Sequence, residues 1–424
     1  MPSRYFWRGN TLYTFQHKKL VKVADYPIVL THHGHDSNGT LYARLQWYFQ
    51  DRWHSVSFPL AKLNRSALPV LAIQSAPLSS PSFARRFLAE WYAVNVDRLL
   101  PLEVITQNGW MNAHRFVWGH TVMEAGGILP RPLDTLIMPF SQWMTYQSVN
   151  PAGESSAMTW WTTEVLPHAP HLVLGLAVIG AALLLYPLER PGFVWHIVDQ
   201  TSTGKTTSAM LLASILGNPH YTEGLVQPWR IQENHFVQWI YWMRDSVWFV
   251  DDAAASSGTF GKRVYLAADG NTPGYIEGTR GVTFSSSERF PVKKGGVAAR
   301  TILWPQSLLP FGVPVEDWTR YIFQHPEEWG WGWMYLLSRF WAQPVSYWKE
   351  LWQTHMVDRS SGIAQRWQNH WNLLWCGIRL WFPYDSVWVR YFRALESDWW
   401  QINVGEKHLK GQYEPVFFEG GSLT

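Results

Sequence analysis

The hydrophobic pattern changes period along the chain. From Tyr5 to about Leu63 short apolar runs alternate with turn signals such as HHGHDSNGT and QDRW, and the stretches LYARLQWYF and HSVSFPL are β-rich. This predicts an antiparallel sheet. From Ser82 to Leu99 the apolar residues recur at three- and four-residue spacing, which predicts an amphipathic helix packed on that sheet. Residues 1–150 are therefore expected to form an N-terminal α+β domain, closed off by the polar, turn-rich stretch NPAGESS. Leu172 to Tyr186 (LVLGLAVIGAALLLY) is continuously apolar but shorter than the roughly 20 residues a bilayer requires. It reads as a buried core helix, with no stable membrane insertion. Next come a strand, FVWHIV, and further apolar runs, and beyond Pro314 the pattern turns helical, with Trp367, Trp371, Leu374, Trp375 and Ile378 on one face. The expected fold is α/β: a core over residues 151–313, with a C-terminal helical region over residues 314–424.

Composition narrows the classes. A chain of 424 residues that is 47% hydrophobic has material for two or three packed domains. Its net charge of +3 is too small to announce nucleic-acid binding, so any such contact falls to local loops. Only 16% of residues are charged while 29 are Trp, which predicts an unusually aromatic surface: an oligomer interface, a stacking surface or compositional bias. Cys376 stands alone, which excludes an internal disulfide and a Cys-based zinc site. With no secretory pattern in MPSRYFWRGN, the expected location is the cytoplasm. The cluster His32, His33, His35 and Asp36 lacks helical i, i+4 spacing, which argues against a metal site.

The most specific signal is FVWHIVDQTSTGKTTSAMLLASILG: an apolar strand, a small polar loop, GKTT, and an apolar helix pattern. That is the context of a Walker A phosphate loop. Thr201, Ser202, Thr203 and Gly204 allow successive backbone N–H groups to face phosphates, and the helix beginning near Lys205, Thr206 and Thr207 adds its positive end. Lys205 is expected to bridge the β- and γ-phosphates of ATP, and Thr206 to offer its hydroxyl to Mg²⁺. Asp199 occupies the place of the first glycine of the motif; Asp tolerates positive φ better than most residues, so the turn is expected to survive.

Farther along, WFVDDAA ends an apolar run in two carboxylates, the form of a Walker B strand. Asp251 is assigned to the metal and Asp252 to orienting or deprotonating the attacking water. The strand GVTFSSSERF then offers Ser285, Ser286 and Ser287, read either as γ-phosphate sensors or as a serine-rich turn. Tyr275 and Arg280, in the turn-rich stretch Gly270 to Gly281, and Lys293 and Lys294 in PVKKGGV are candidates for stacking on, and tracking, a nucleic-acid backbone.

Together with NGWMNAHRF, PWRIQENHF, RVYLAADG, GGVAARTILWP and GIAQRWQNHWNLLWCGIRLW, these stretches resemble the helicase-like family called domain of unknown function 927, found in plasmids, phages and chromosomal cassettes. The resemblance runs from roughly residue 20 to 400 and implies a P-loop NTPase core of AAA+ or superfamily 3 type. It implies ATP and Mg²⁺ as cofactors, single-stranded or forked DNA as partner, a homohexameric ring, and helicase or translocase activity in replication of a mobile genetic element. By the same resemblance Asn234 follows the Trp229 segment, Ser286 aligns with the sensor strand, and Arg300 and Arg366 fall where the family tends to place arginine. Arg300 is thereby expected in the catalytic set with Asp252 and Ser286. Three departures stand out: Asp199 replaces glycine, Asp252 replaces glutamate, and no basic residue follows Gly270 directly. Two other functions fit the same residues: a P-loop switch or loader acting on a protein partner, and a nucleotide-binding assembly module without hydrolysis.

Overall fold

The computed structural model describes residues 1–64, 78–129, 135–137, 149, 154–253, 257–269, 280–288, 295–354 and 362–404. The chain divides into two compact units, Met1–Thr106 with Arg131–Met138, and Gln107–Pro130 with Pro139–Thr424.

In the first unit, strands Tyr5–Arg8, Thr11–Gln16 and Lys19–Ala24 form an antiparallel meander. A second sheet runs in the order Arg52–Pro59, Leu41–Phe49, Ile28–His35, Leu100–Pro101, antiparallel except for its last pair. Gln50 and Asp51 both take positive φ (50° and 59°), as the two-residue hairpin between its long strands requires. The helix Pro81–Asn95 starts on a proline, which costs nothing at the first turn, and buries Ala84, Phe87 and Leu88. Its Trp91 indole donates to the Leu30 carbonyl at 3.0 Å, tying helix to sheet. The antiparallel sheet and packed helix read from the pattern are both present.

The second unit is a mixed α/β assembly. Its first segment is an antiparallel meander of Gly109–Asn112, Arg115–Trp118, Thr121–Glu124 and Gly127–Leu129. The centre is a five-stranded parallel sheet of β1 (Phe193–Val198), β2 (Val226–Pro228), β3 (Val247–Asp251), β4 (Val282–Ser287) and β5 (Thr301–Trp304). The order is β2-β3-β4-β1-β5. These strands are buried along nearly their whole length, which is why they read as continuous apolar runs rather than as alternation.

Helix α1 (Leu172–Leu184) buries all its residues. The apolar run is a core helix, and among the described residues no helix is long and apolar enough to cross a membrane. Helices α2 (Lys205–Ser214), α3 (Glu233–Trp242), α4 (Ser257–Asp269) and α5 (Val315–Gln324) follow, and α6 (Gly362–Trp381) packs on α1. A Cβ at Gly180 would lie 2.3 Å from the Gly377 carbonyl oxygen, so the two helix backbones touch where both lack side chains. The α6 stripe of Trp367, Trp371, Leu374, Trp375 and Ile378 is buried, as its spacing predicts.

The aromatic surface expected from composition is corrected. Among the described residues Trp53 is the only tryptophan that stands out as an exposed large hydrophobic; the rest are buried or partly buried. Many fill the core with their N–H satisfied by main chain: Trp110 to Leu183 O at 2.7 Å, Trp118 to Leu216 O at 2.7 Å, and Trp381 to Leu176 O at 2.6 Å.

Candidate nucleotide and metal site

All five parallel strands point the same way, so the residues just past their ends share one edge of the sheet. Past β1 the chain turns through residues 199–204 into α2. Positive φ falls at Ser202 (63°) and Gly204 (84°), and Gly204 is the N-cap of α2. Asp199 does not take the positive φ expected of it. Its carboxylate instead accepts from the backbone N–H of Gln200 and of Ser307, each at 2.7 Å, and so clasps the segment that follows β5. Thr203 Oγ1 donates to Gln200 O at 2.9 Å, Thr201 bonds Glu288, and Thr207 lies in the first turn of α2. The Lys205 ammonium donates to the carbonyls of Asp199, at 2.8 Å, and Gln200. Burial lowers the pKa of this amine, against the pull of Asp199, Asp251 and Glu288.

Asp251, at the end of β3, is gripped from two sides: Thr206 donates to one carboxylate oxygen and Ser286, on β4, to the other. One hydroxyl-flanked carboxylate beside an α-helix N-terminus is a donor set for a hard cation and an anion together. Asp252 is exposed with φ of 60°, just beyond the strand. Tyr221 was not singled out from the sequence; burial, Asp251 and Asp252 together raise its phenol pKa. Thus Lys205, Thr206, Asp251, Asp252 and Ser286 share one edge.

Beneath that edge runs a buried polar line. His196, fully buried on β1, hydrogen-bonds Ser285 at 2.9 Å and Ser287 at 2.8 Å, both on β4. Burial pushes its imidazole down to about 3, so it is neutral near pH 7. The Trp229 indole donates to the same Ser285 hydroxyl at 2.8 Å, and the Trp229 amide donates to Asp251 O at 2.9 Å. Arg263, on α4, holds the carbonyls of Trp229 and Ile231.

The model of the family described as a domain of unknown function, DUF927, matches residues 7–274, more than half the chain. The chain belongs to the DUF927 family. Among solved structures, one described as "SCCmec type IV Cch - active helicase" has the same fold, with a TM-score of 0.65 at 15% identity over 95% of this chain and 78% of that chain. No curated protein matches the chain.

Other stretches read as characteristic of DUF927 fall at the opposite edge of the sheet. In NGWMNAHRF, the Trp110 amide donates at 3.1 Å to Asp245, which precedes β3 and is fully buried beside Arg244. Arg300 precedes β5; the strand separates it by roughly 15 Å from the edge of Lys205 and Asp251. The structure therefore does not bring it together with Asp252 and Ser286. Its Nε donates to Asp269 at 2.6 Å, its guanidinium lies 4.4 Å over the Tyr265 ring, and with Arg190 and Arg366 it lines a cavity of about 160 Å³. Arg280 precedes β4 at this same edge, 5.2 Å over the Tyr186 ring. Tyr275, Lys293 and Lys294 lie outside the described residues. Asn234 is exposed at the start of α3.

Proposed function

We propose that this DUF927 chain is an ATP- and Mg²⁺-dependent P-loop motor of AAA+ type, a DNA helicase or translocase serving replication of a mobile element, active as a homohexameric ring in the cytoplasm. The observation that carries the reading is the meeting of the 199–206 loop, the α2 N-terminus, Lys205 and a hydroxyl-flanked Asp251 at one sheet edge. The shared fold with a structure described as an active helicase supports it.

In this reading the loop amides and the helix N-terminus hold the phosphates, and Lys205 exchanges its two loop carbonyls for phosphate oxygens. Thr206 and Asp251 supply hydroxyl and carboxylate oxygens that fit Mg²⁺. Held there by Thr206 and Asp251, Mg²⁺ would supply charge neutralisation for the transferring phosphoryl group. Asp252, open to solvent, orients the attacking water and takes its proton, while Ser286 reports the terminal phosphate to Asp251. Arg300, at the far edge, serves the nucleotide of a neighbouring copy. Tyr275, Arg280, Lys293 and Lys294 contact single-stranded or forked DNA. Residues 151–313 form the motor core, which shares its compact unit with Gln107–Pro130, and 314–424 form its helical region; Met1–Thr106 with Arg131–Met138 form a separate N-terminal unit.

The test is phosphate release from ATP with and without single-stranded DNA, for the native chain and Lys205→Ala. DNA is expected to stimulate release, and Lys205→Ala to lower it by at least about 100-fold. ATP binding without release would leave an assembly module. Release indifferent to DNA would favour a switch or loader acting on a protein.

A further inference from the structure

One side chain beside the phosphate loop has no place in the chemistry above. Phe311 is exposed to 109% of its reference area, whereas no other large hydrophobic among the described residues exceeds 59%. It is held out by a stiff turn, between Pro310 and Gly312 (φ 85°), with Pro314 two residues beyond that glycine. The turn is anchored to the loop at two points. Ser307 N donates to Asp199 Oδ2 at 2.7 Å, and Leu309 lies 3.0 Å from where a Cβ on Gly204 would sit. One residue, Pro310, lies between Leu309 and Phe311, so their Cα atoms are at most about 7 Å apart.

The strand order gives the site a direction. β1, which leads into the loop, has β4 and β3 on one flank and β5 on the other. Asp251 and Ser286 lie on the β4 and β3 flank, so the terminal phosphate and its cation belong there. The nucleoside end of a bound triphosphate then points to the β5 flank, where the chain leaving β5 carries Phe311.

We propose that Phe311 is the base-stacking residue of this site, a proposal that rests on the nucleotide reading above. A phenyl face accepts any nucleobase, so the residue distinguishes nucleoside triphosphates from bare triphosphate, and does not distinguish adenine from guanine.

Equilibrium binding of ATP, GTP and inorganic tripolyphosphate, each with Mg²⁺, to the full chain and to Phe311→Ala, Phe311→Tyr and Lys205→Ala tests it. Phe311→Ala is expected to weaken ATP and GTP on the order of tenfold and leave tripolyphosphate unchanged, with Phe311→Tyr restoring both nucleotides. Native ATP affinity in Phe311→Ala overturns the proposal, and a changed sedimentation of that variant would then mark Phe311 as a contact between copies. Equal losses of ATP and tripolyphosphate also overturn it, since the residue would be acting through the loop. If the native chain and Lys205→Ala bind ATP alike, the nucleotide reading fails as well, and that result differs from the others.

Discussion

At the edge where its strands end, the parallel sheet gathers Lys205, Asp251, Ser286 and a loop of small residues; at the edge where they begin, it gathers arginines. Arg190 precedes β1, Arg244 precedes β3, Arg280 precedes β4 and Arg300 precedes β5. Each guanidinium lies over a ring: Arg190 at 3.7 Å from Trp352, Arg244 and Arg280 at 5.8 and 5.2 Å from Tyr186, Arg300 at 4.4 Å from Tyr265. The leaving edge is held by hydroxyls and backbone carbonyls, which exchange one partner for another at little cost. The entering edge is held by stacked cations and by the buried Arg244–Asp245 pair, whose separation would strand a charge. One edge is built to change with a ligand, the other to keep its form.

The largest test of that contrast is Arg300→Ala. If the entering edge presents a fixed cation to a neighbouring copy, hydrolysis is expected to fall on the order of 1,000-fold while each subunit still binds ATP. Mixing this variant with Lys205→Ala should then recover activity, because each supplies what the other lacks. No recovery, with a lowered melting temperature alone, would make Arg300 a purely structural residue. At the leaving edge Asp252→Asn is expected to slow phosphate release about 100-fold at unchanged ATP affinity. An unaltered rate would remove Asp252 from the chemistry.

The smallest effect is on pH dependence. Burial is the main cause that pushes His196 and His370 down to about 3 and His171 to about 4, from an ordinary 6.5. Below pH 6.5 the unfolded chain takes up protons that the folded chain does not, so their contribution is whole above pH 6.5 and is lost as pH falls to about 4 for His171 and about 3 for His196 and His370. Asp245, raised by burial to about 6 from 3.8, works in the opposite sense between those values and offsets one of them. Each unbalanced proton is worth roughly 1.4 kcal/mol per pH unit. His196→Gln should flatten the fall in Tm between pH 6.5 and 4.5, and an unchanged slope would remove His196 from that account.

What the sequence made legible is what is local in it. The strand, loop and helix around Lys205 are contiguous, so spacing alone placed them, and the apolar run before Asp251 fixed a buried strand with a polar end. The pairing of Asp251 with Thr206 and Ser286 spans 45 and 35 residues, yet each partner sat in its own readable motif. His196 had no such label: it interrupts an apolar strand, and its partners lie 89 and 91 residues away. Phe311 looked like any turn residue, because exposure is a property of the packed molecule. Composition counted the tryptophans but gave no inside or outside, so the aromatic surface it implied became an aromatic core. The position of Arg300 followed from strand direction, which the residues around it do not encode.

The indoles bonded to main-chain carbonyls of the core constrain how this lineage can drift. No other natural side chain joins that volume to a lone N–H donor. A step from Trp110, Trp118 or Trp381 to phenylalanine leaves both a gap and an orphaned acceptor. A single change at any of these three positions is therefore expected to cost stability unless a second change nearby fills the gap and meets the carbonyl.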